Sequence, residues 1–172
     1  VNYSREAAPA EAVAAECRAL GAEVLVVKAN VAEDADCRAL AAAVDARWGR
    51  CDVLVNNAGT TKFVHVRNFD GLDAADFQRI YGVNAVGAFQ VCRAAARHLG
   101  QGGAIVNISS GLAIFPKQAG GLYSATKAGL SSFTTALRWQ VERTPLLVSE
   151  VQLPLVDTPM TAGRGARKID PH

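Results

Sequence analysis

A tyrosine and a lysine stand four residues apart in the stretch GLYSATKAG, residues 121–129. On a helix, Tyr123 and Lys127 share one face. A free phenol titrates near pH ~10, and a cation within a few Å favours the phenolate, so the lysine is expected to draw the tyrosine's proton toward usable pH. Such a pair makes a general acid or base. The same spacing also arises on solvated helix faces, so other residues must decide its meaning. Three segments offer them: NNAG at 56–59, Asn84 within IYGVNAVGAF, and Ser110 at the end of IVNISS, thirteen residues ahead of Tyr123. Taken singly, a serine at a strand end is a cap or turn residue and an asparagine in a helix is a surface residue.

The elements that position these residues alternate. EAAPAEAVAAECRAL reads as an amphipathic helix closed by Gly21, and AEVLVVKAN as a strand. EDADCRALAAAVDARWG is a second helix, closed by Gly49. CDVLVNNAG follows as a strand whose apolar centre, residues 53–55, shows no alternation and is predicted to be buried on both faces. A helix over 73–98, the strand GAIVNISS, a helix over 123–143 and the strand LLVSEVQL complete the series. This order predicts an α/β, Rossmann-like doubly wound parallel sheet with helices on both faces. Ligands bind such sheets beyond the carboxyl ends of the strands, where NNAG, ISS (108–110) and PLVDTPM (154–160) all fall.

A chain of 172 residues, half of them apolar, suits one domain with a real core. Its net charge of +2 creates no field that favours nucleic acid or an anionic membrane surface, so neither partner is expected. Cys17, Cys37, Cys51 and Cys92 lie singly, as do His65, His98 and His172. They predict reduced thiols and no metal site. With no apolar run of about twenty residues and no charged start before an apolar stretch, the expectation is a soluble, cytoplasmic protein.

In this order and setting, NNAG, Asn84, Ser110 and the Tyr123/Lys127 pair resemble the short-chain dehydrogenase/reductase family, over about residues 1–157. The resemblance implies an NAD(P)-dependent oxidoreductase that exchanges a hydride between a nicotinamide cofactor and a small-molecule carbonyl or alcohol substrate. Tyr123 would be the general acid or base. Ser110 would donate a hydrogen bond to the substrate oxygen. Lys127 would lower the pKa of Tyr123 and bond the nicotinamide ribose, and Asn84 would hold a water linking Lys127 to solvent. Asn57, Ala58 and Gly59 would line the cofactor, Thr158 would sit near its carboxamide, and Asn30 with Val31 near its adenine. VNYSR looks like the end of a second strand and its turn, where Ser4 and Arg5 replace an acidic residue. That favours NADP(H) over NAD(H), because an acidic side chain would repel a 2′-phosphate. Relatives pair through two long helices, implying a homodimer or homotetramer, with Leu130, Phe133 and Trp139 in that contact or in the core.

The chain also departs from the family. No Gly-rich strand-to-helix turn precedes Val1, so the domain over residues 1–172 is expected to lack its first strand and helix and its C-terminal end. Two sheet edges should then stand open. Leu153 and Pro154 occupy the positions where most relatives place Pro-Gly. The loop GLAIFPKQAGGL should wall a substrate pocket with Ile114, Phe115 and Leu122, with Lys117 at its rim. The competing expectation is a non-catalytic, cofactor-sensing or interaction module on the same fold.

Overall fold

The structure, a computed structural model, describes residues 1–65, 67–117, 120–162 and 168–169. Strand β1 (Asn2–Tyr3) leads to helix α1 (Ala7–Ala19), β2 (Val27–Lys28) and α2 (Asp34–Trp48). Gly21 and Gly49 end the two helices with φ of 88° and 68°, a left-handed conformation that costs glycine little. The strand expected across AEVLVVKAN pairs only at Val27–Lys28, because its sole partner is the two-residue β1. Next come β3 (Cys51–Asn56), α3 (Ala74–Tyr81), a π turn (Gly82–Val86), α4 (Gly87–Ala95), β4 (Leu99–Ser110), α5 (Gly121–Val141) and β5 (Leu147–Leu153).

All described strand pairs are parallel, in two sheets ordered β1-β2 and β3-β4-β5. Between the sheets runs a groove of about 630 Å³ with Val1 and Asn2 on one side and Cys51 to Val55 on the other. Val53 and Val55 are 57% and 53% exposed, so the two-sided burial predicted for this strand does not hold. Among the described residues its backbone pairs with β4 alone, and its other edge opens on the groove. Leu54 points the other way, onto a core of Val31, Cys37, Val91 and Ala94.

The single helix expected over 73–98 is instead two helices with a π turn between them. Asp73 starts α3 with a capping box, accepting from the Asp76 amide while the Asp76 carboxylate accepts from the Asp73 amide. The π turn carries Asn84, and α4 resumes at Gly87. A Cβ on Gly87 would lie 2.8 Å from Val31 Cγ2 and 3.1 Å from the Val31 carbonyl. Only glycine lets α4 approach the end of β2 this closely. Gly87→Ala should therefore cost about 1–3 kcal/mol and lower the melting temperature by several degrees. A thermal melt superimposable on that of the unaltered protein would contradict that account.

Helix α5 turns Thr126, Lys127, Leu130 and Thr134 inward. Leu130 is 2% exposed and belongs to the core, whereas Trp139 is 73% exposed. Phe133 packs edge-on against Phe89, with centroids 6.1 Å apart. The four cysteines are free thiols, and burial pushes Cys92 up to about 11. Among the described residues no helix is long and apolar enough to cross a membrane.

Candidate active site

Strand β4 delivers Ser110 at its carboxyl end, where the chain turns into a short 3-10 helix, Gly111–Ala113. The Ser110 hydroxyl accepts from the Leu112 amide at 3.2 Å, which leaves its own proton free to donate. The cap role common for such a serine is real here and compatible with chemistry. Helix α5 begins at Gly121, so Tyr123 lies in its first turn and Lys127 one turn later. The Tyr123 ring is half-buried and tilted against Phe63 at 6.5 Å. Burial raises its pKa, and a hydrogen bond with the Ser110 side chain draws it back down.

Lys127 is 3% exposed. Its Nζ donates to the Ile108 carbonyl at 2.7 Å and lies 5.8 Å from the centroid of the Tyr123 ring. Burial lowers this lysine's pKa to about 8, against a smaller opposing pull from Glu150. The structure therefore corrects one expectation from the sequence. Lys127 and Tyr123 do share a face, but the tyrosine's pKa is raised rather than lowered, and the group that opposes the rise is Ser110. Desolvation of the half-buried phenol is the larger cause.

Asn84 sits in the π turn, 1% exposed. Its Oδ1 accepts from the Thr60 amide at 2.7 Å, and its Nδ2 donates to the Thr60 carbonyl and the Thr126 hydroxyl, both at 2.9 Å. Both amide protons are thus committed, leaving one lone pair on Oδ1. The expected water could reach the side chain only there. Asn84 Oδ1 and Lys127 Nζ flank one spot, 3.7 and 3.8 Å from where a Cβ on Gly59 would lie. Sequence reasoning missed Thr60 and Thr126. Thr126 is fully buried, and its hydroxyl also donates to the Tyr123 carbonyl at 2.8 Å, tying the π turn to α5.

A cleft of about 900 Å³ is lined by Asn57, Ala58 and Gly59. Ser4, Arg5, Asn30 and Val31 line it as well. The Asn30 side chain accepts from the Ala32 amide at 3.2 Å, so it shapes the turn as well as lining the cleft. Arg79 also lines it, with its Nη2 3.0 Å from the Asp76 carboxylate, and no sequence signal had singled it out. Thr158 lies in a turn after β5, where its amide donates to the Thr161 hydroxyl at 3.0 Å.

A dinucleotide can be tested against this lining. Ser4 and Arg5 offer a hydroxyl and a cation, as a phosphorylated ribose requires. Gly59 leaves room for a flat ring beside Lys127 and Asn84. Both sets of residues fit. The lining residues described include no Gly-rich helix start of the kind that cradles a pyrophosphate.

The sequence model of the family described as short chain dehydrogenase matches residues 1–168. The chain belongs to that family. Among curated relatives, an uncharacterized oxidoreductase of Methylorubrum extorquens is 35% identical over 137 residues, covering 80% of this chain and 54% of its own length. A 3-oxoacyl-[acyl-carrier-protein] reductase of Synechocystis is 33% identical, covering 98% of this chain and 68% of its own. Among solved structures, a short chain dehydrogenase of Burkholderia cenocepacia in complex with NADP superimposes with a TM-score of 0.88 at 34% identity. That match covers 96% of this chain and 66% of the other. The chain thus spans from about half to two thirds of the length of these family members. The match also identifies the Rossmann-like arrangement of parallel strands and helices.

Proposed function

We propose that the protein reduces a small carbonyl compound, or oxidises the matching alcohol, with NADP(H) in preference to NAD(H). The observation that carries this reading is the pairing of Ser110 with Tyr123 one turn from Lys127, whose ammonium lies beside Gly59 in the lining of a cleft that also includes Ser4 and Arg5. When bound, the nicotinamide supplies or accepts the hydride. Asn57, Ala58 and Gly59 would hold its ring end, and Ser4 with Arg5 would hold the 2′-phosphate. In reduction, the Tyr123 hydroxyl gives its proton to the substrate oxygen while Ser110 donates a hydrogen bond to the same oxygen. Lys127 keeps a positive charge next to the tyrosinate that forms. In alcohol oxidation the same proton returns to Tyr123.

Ile114 and Phe115, 57% and 76% exposed on the loop after Ser110, give the substrate an apolar wall. The same reading makes this a cytoplasmic homodimer or homotetramer joined through α4 and α5. Phe89 and Trp139, 45% and 73% exposed, lie on those helices.

The test is a nicotinamide fluorescence titration of the whole protein. Saturable enhancement is expected with both cofactors, tighter with NADPH, and Arg5→Ala should narrow the gap by about tenfold. Equal affinities would remove the NADPH preference. No enhancement with either cofactor would remove hydride transfer as the function and favour a non-catalytic module.

A further inference from the structure

Beneath the site, the seam between α5 and the sheet carries polar residues that hydride transfer does not use. Ser131 lies one turn beyond Lys127 on α5, Ser109 precedes Ser110 on β4, and Glu150 lies on β5. The Ser109 and Ser131 hydroxyls are 3.1 Å apart, and the Lys127 carbonyl lies 3.4 and 3.1 Å from them respectively. Ser131 also hydrogen-bonds to Glu150 Oε1. Ser131 has a single proton, and a carboxylate is a stronger acceptor than a peptide carbonyl. Ser131 therefore donates to Glu150, and Ser109 donates to Ser131 or to the Lys127 carbonyl. A chain of hydrogen bonds runs from the carboxylate to the main chain of the lysine.

Two serines and a carbonyl could satisfy one another without a carboxylate, and half-burying one has a desolvation cost. The balancing group is the lysine. Lys127 is a buried cation with no carboxylate within ion-pair distance among the described residues. Its neighbours on other elements, among the described residues, are uncharged: the Ile108 carbonyl and Ser109 from β4, Asn84 from the π turn, and Gly59 from the loop after β3. On its own helix Tyr123 is the titratable neighbour. Among the described residues only β5 brings a negative charge to this seam. Arg138 of α5 donates to the Val148 carbonyl at 2.9 Å and is exposed to solvent.

We infer that Glu150 is a positioning residue for catalysis: anchored by its hydrogen bond to Ser131, it is the counter-charge of Lys127. The inference rests on the reading of Lys127 as the working ammonium. The pull of Glu150 against burial in the lysine's titration has the sign this role requires.

The test uses the whole protein with 13C-labelled lysine. The sequence has five lysines, and the Lys127 signal is assigned as the one missing from Lys127→Met. Glu150→Gln keeps the volume and an acceptor for Ser131 but removes the charge. It is expected to move the Lys127 titration, and the alkaline limb of kcat/KM for carbonyl reduction, down by about half a pH unit or more. Ser131→Ala frees the carboxylate to turn toward solvent and should shift both in the same direction by less. It decides the matter if Glu150→Gln does not fold. Titrations that superimpose on the unaltered protein in the folded variants overturn the inference. Absence of turnover in the unaltered protein, with the titration shift intact, would instead sink the proposed reaction and leave the coupling standing.

Discussion

Tyr123→Phe is expected to cut carbonyl reduction about a thousandfold or more while cofactor affinity stays within about twofold. The substitution deletes only the hydroxyl. The ring keeps its place against Phe63 and beside Lys127 Nζ, so packing and the cleft are unchanged. Because burial raises the tyrosine's pKa, it is protonated at neutral pH and ready to act as an acid. Reduction should therefore be supported through neutral pH, and alcohol oxidation, which needs the tyrosinate, should rise with pH. Steady-state rates with fluorescence-measured cofactor binding check both statements. A variant that keeps a large share of its turnover would show that the proton comes from another group.

Lys127→Met should remove turnover by about a hundredfold or more and yet make the protein more stable at neutral pH. The lysine's pKa is about 8 in the folded chain against an ordinary 10.5, so folding disfavours its charged form. The sign follows from linkage. Between those two values the unfolded chain binds more protons, so stability rises with pH across that window and the destabilisation is fully present below about pH 8. A shift of this size corresponds to roughly 3 kcal/mol as an order of magnitude, and methionine fills a similar volume without the charge. We expect a gain of about 1–3 kcal/mol near pH 7 that fades toward pH 10, read by denaturant unfolding at several pH values. A loss of stability at pH 7 would mean that the bond to the Ile108 carbonyl outweighs desolvation. For the unaltered enzyme the same titration predicts that reduction declines above about pH 8, as the ammonium loses its proton.

The two predictions together describe a site that trades stability for chemistry. Asn84 shows the same pattern in the backbone: a π turn interrupts what the sequence presents as a regular helix, and π turns recur at functional sites. The interruption lets Asn84 grip both the amide and the carbonyl of Thr60, fixing the loop that follows NNAG.

Much of this was legible in the sequence because it depends on local rules. Alternating helix and strand patterns, the glycine stops at Gly21 and Gly49, and the one-face placement of Tyr123 and Lys127 all follow from short-range geometry, and all appear in the structure. The order of NNAG, Asn84, Ser110, Tyr123 and Lys127 was enough to mark the family, to which the chain belongs. What the tertiary structure alone decided concerns groups brought together from distant segments. The exposure of Val53 and Val55 depends on which strand lies beside β3, and a strand's apolar composition says nothing about its neighbour. The direction of the Tyr123 shift depends on burial and on the Ser110 side chain that opposes it. The roles of Thr60, Thr126 and Glu150 arise from contacts across 19 to 42 residues of sequence. Desolvation and hydrogen bonding act over a few Å in space, and only the folded chain determines which residues come that close.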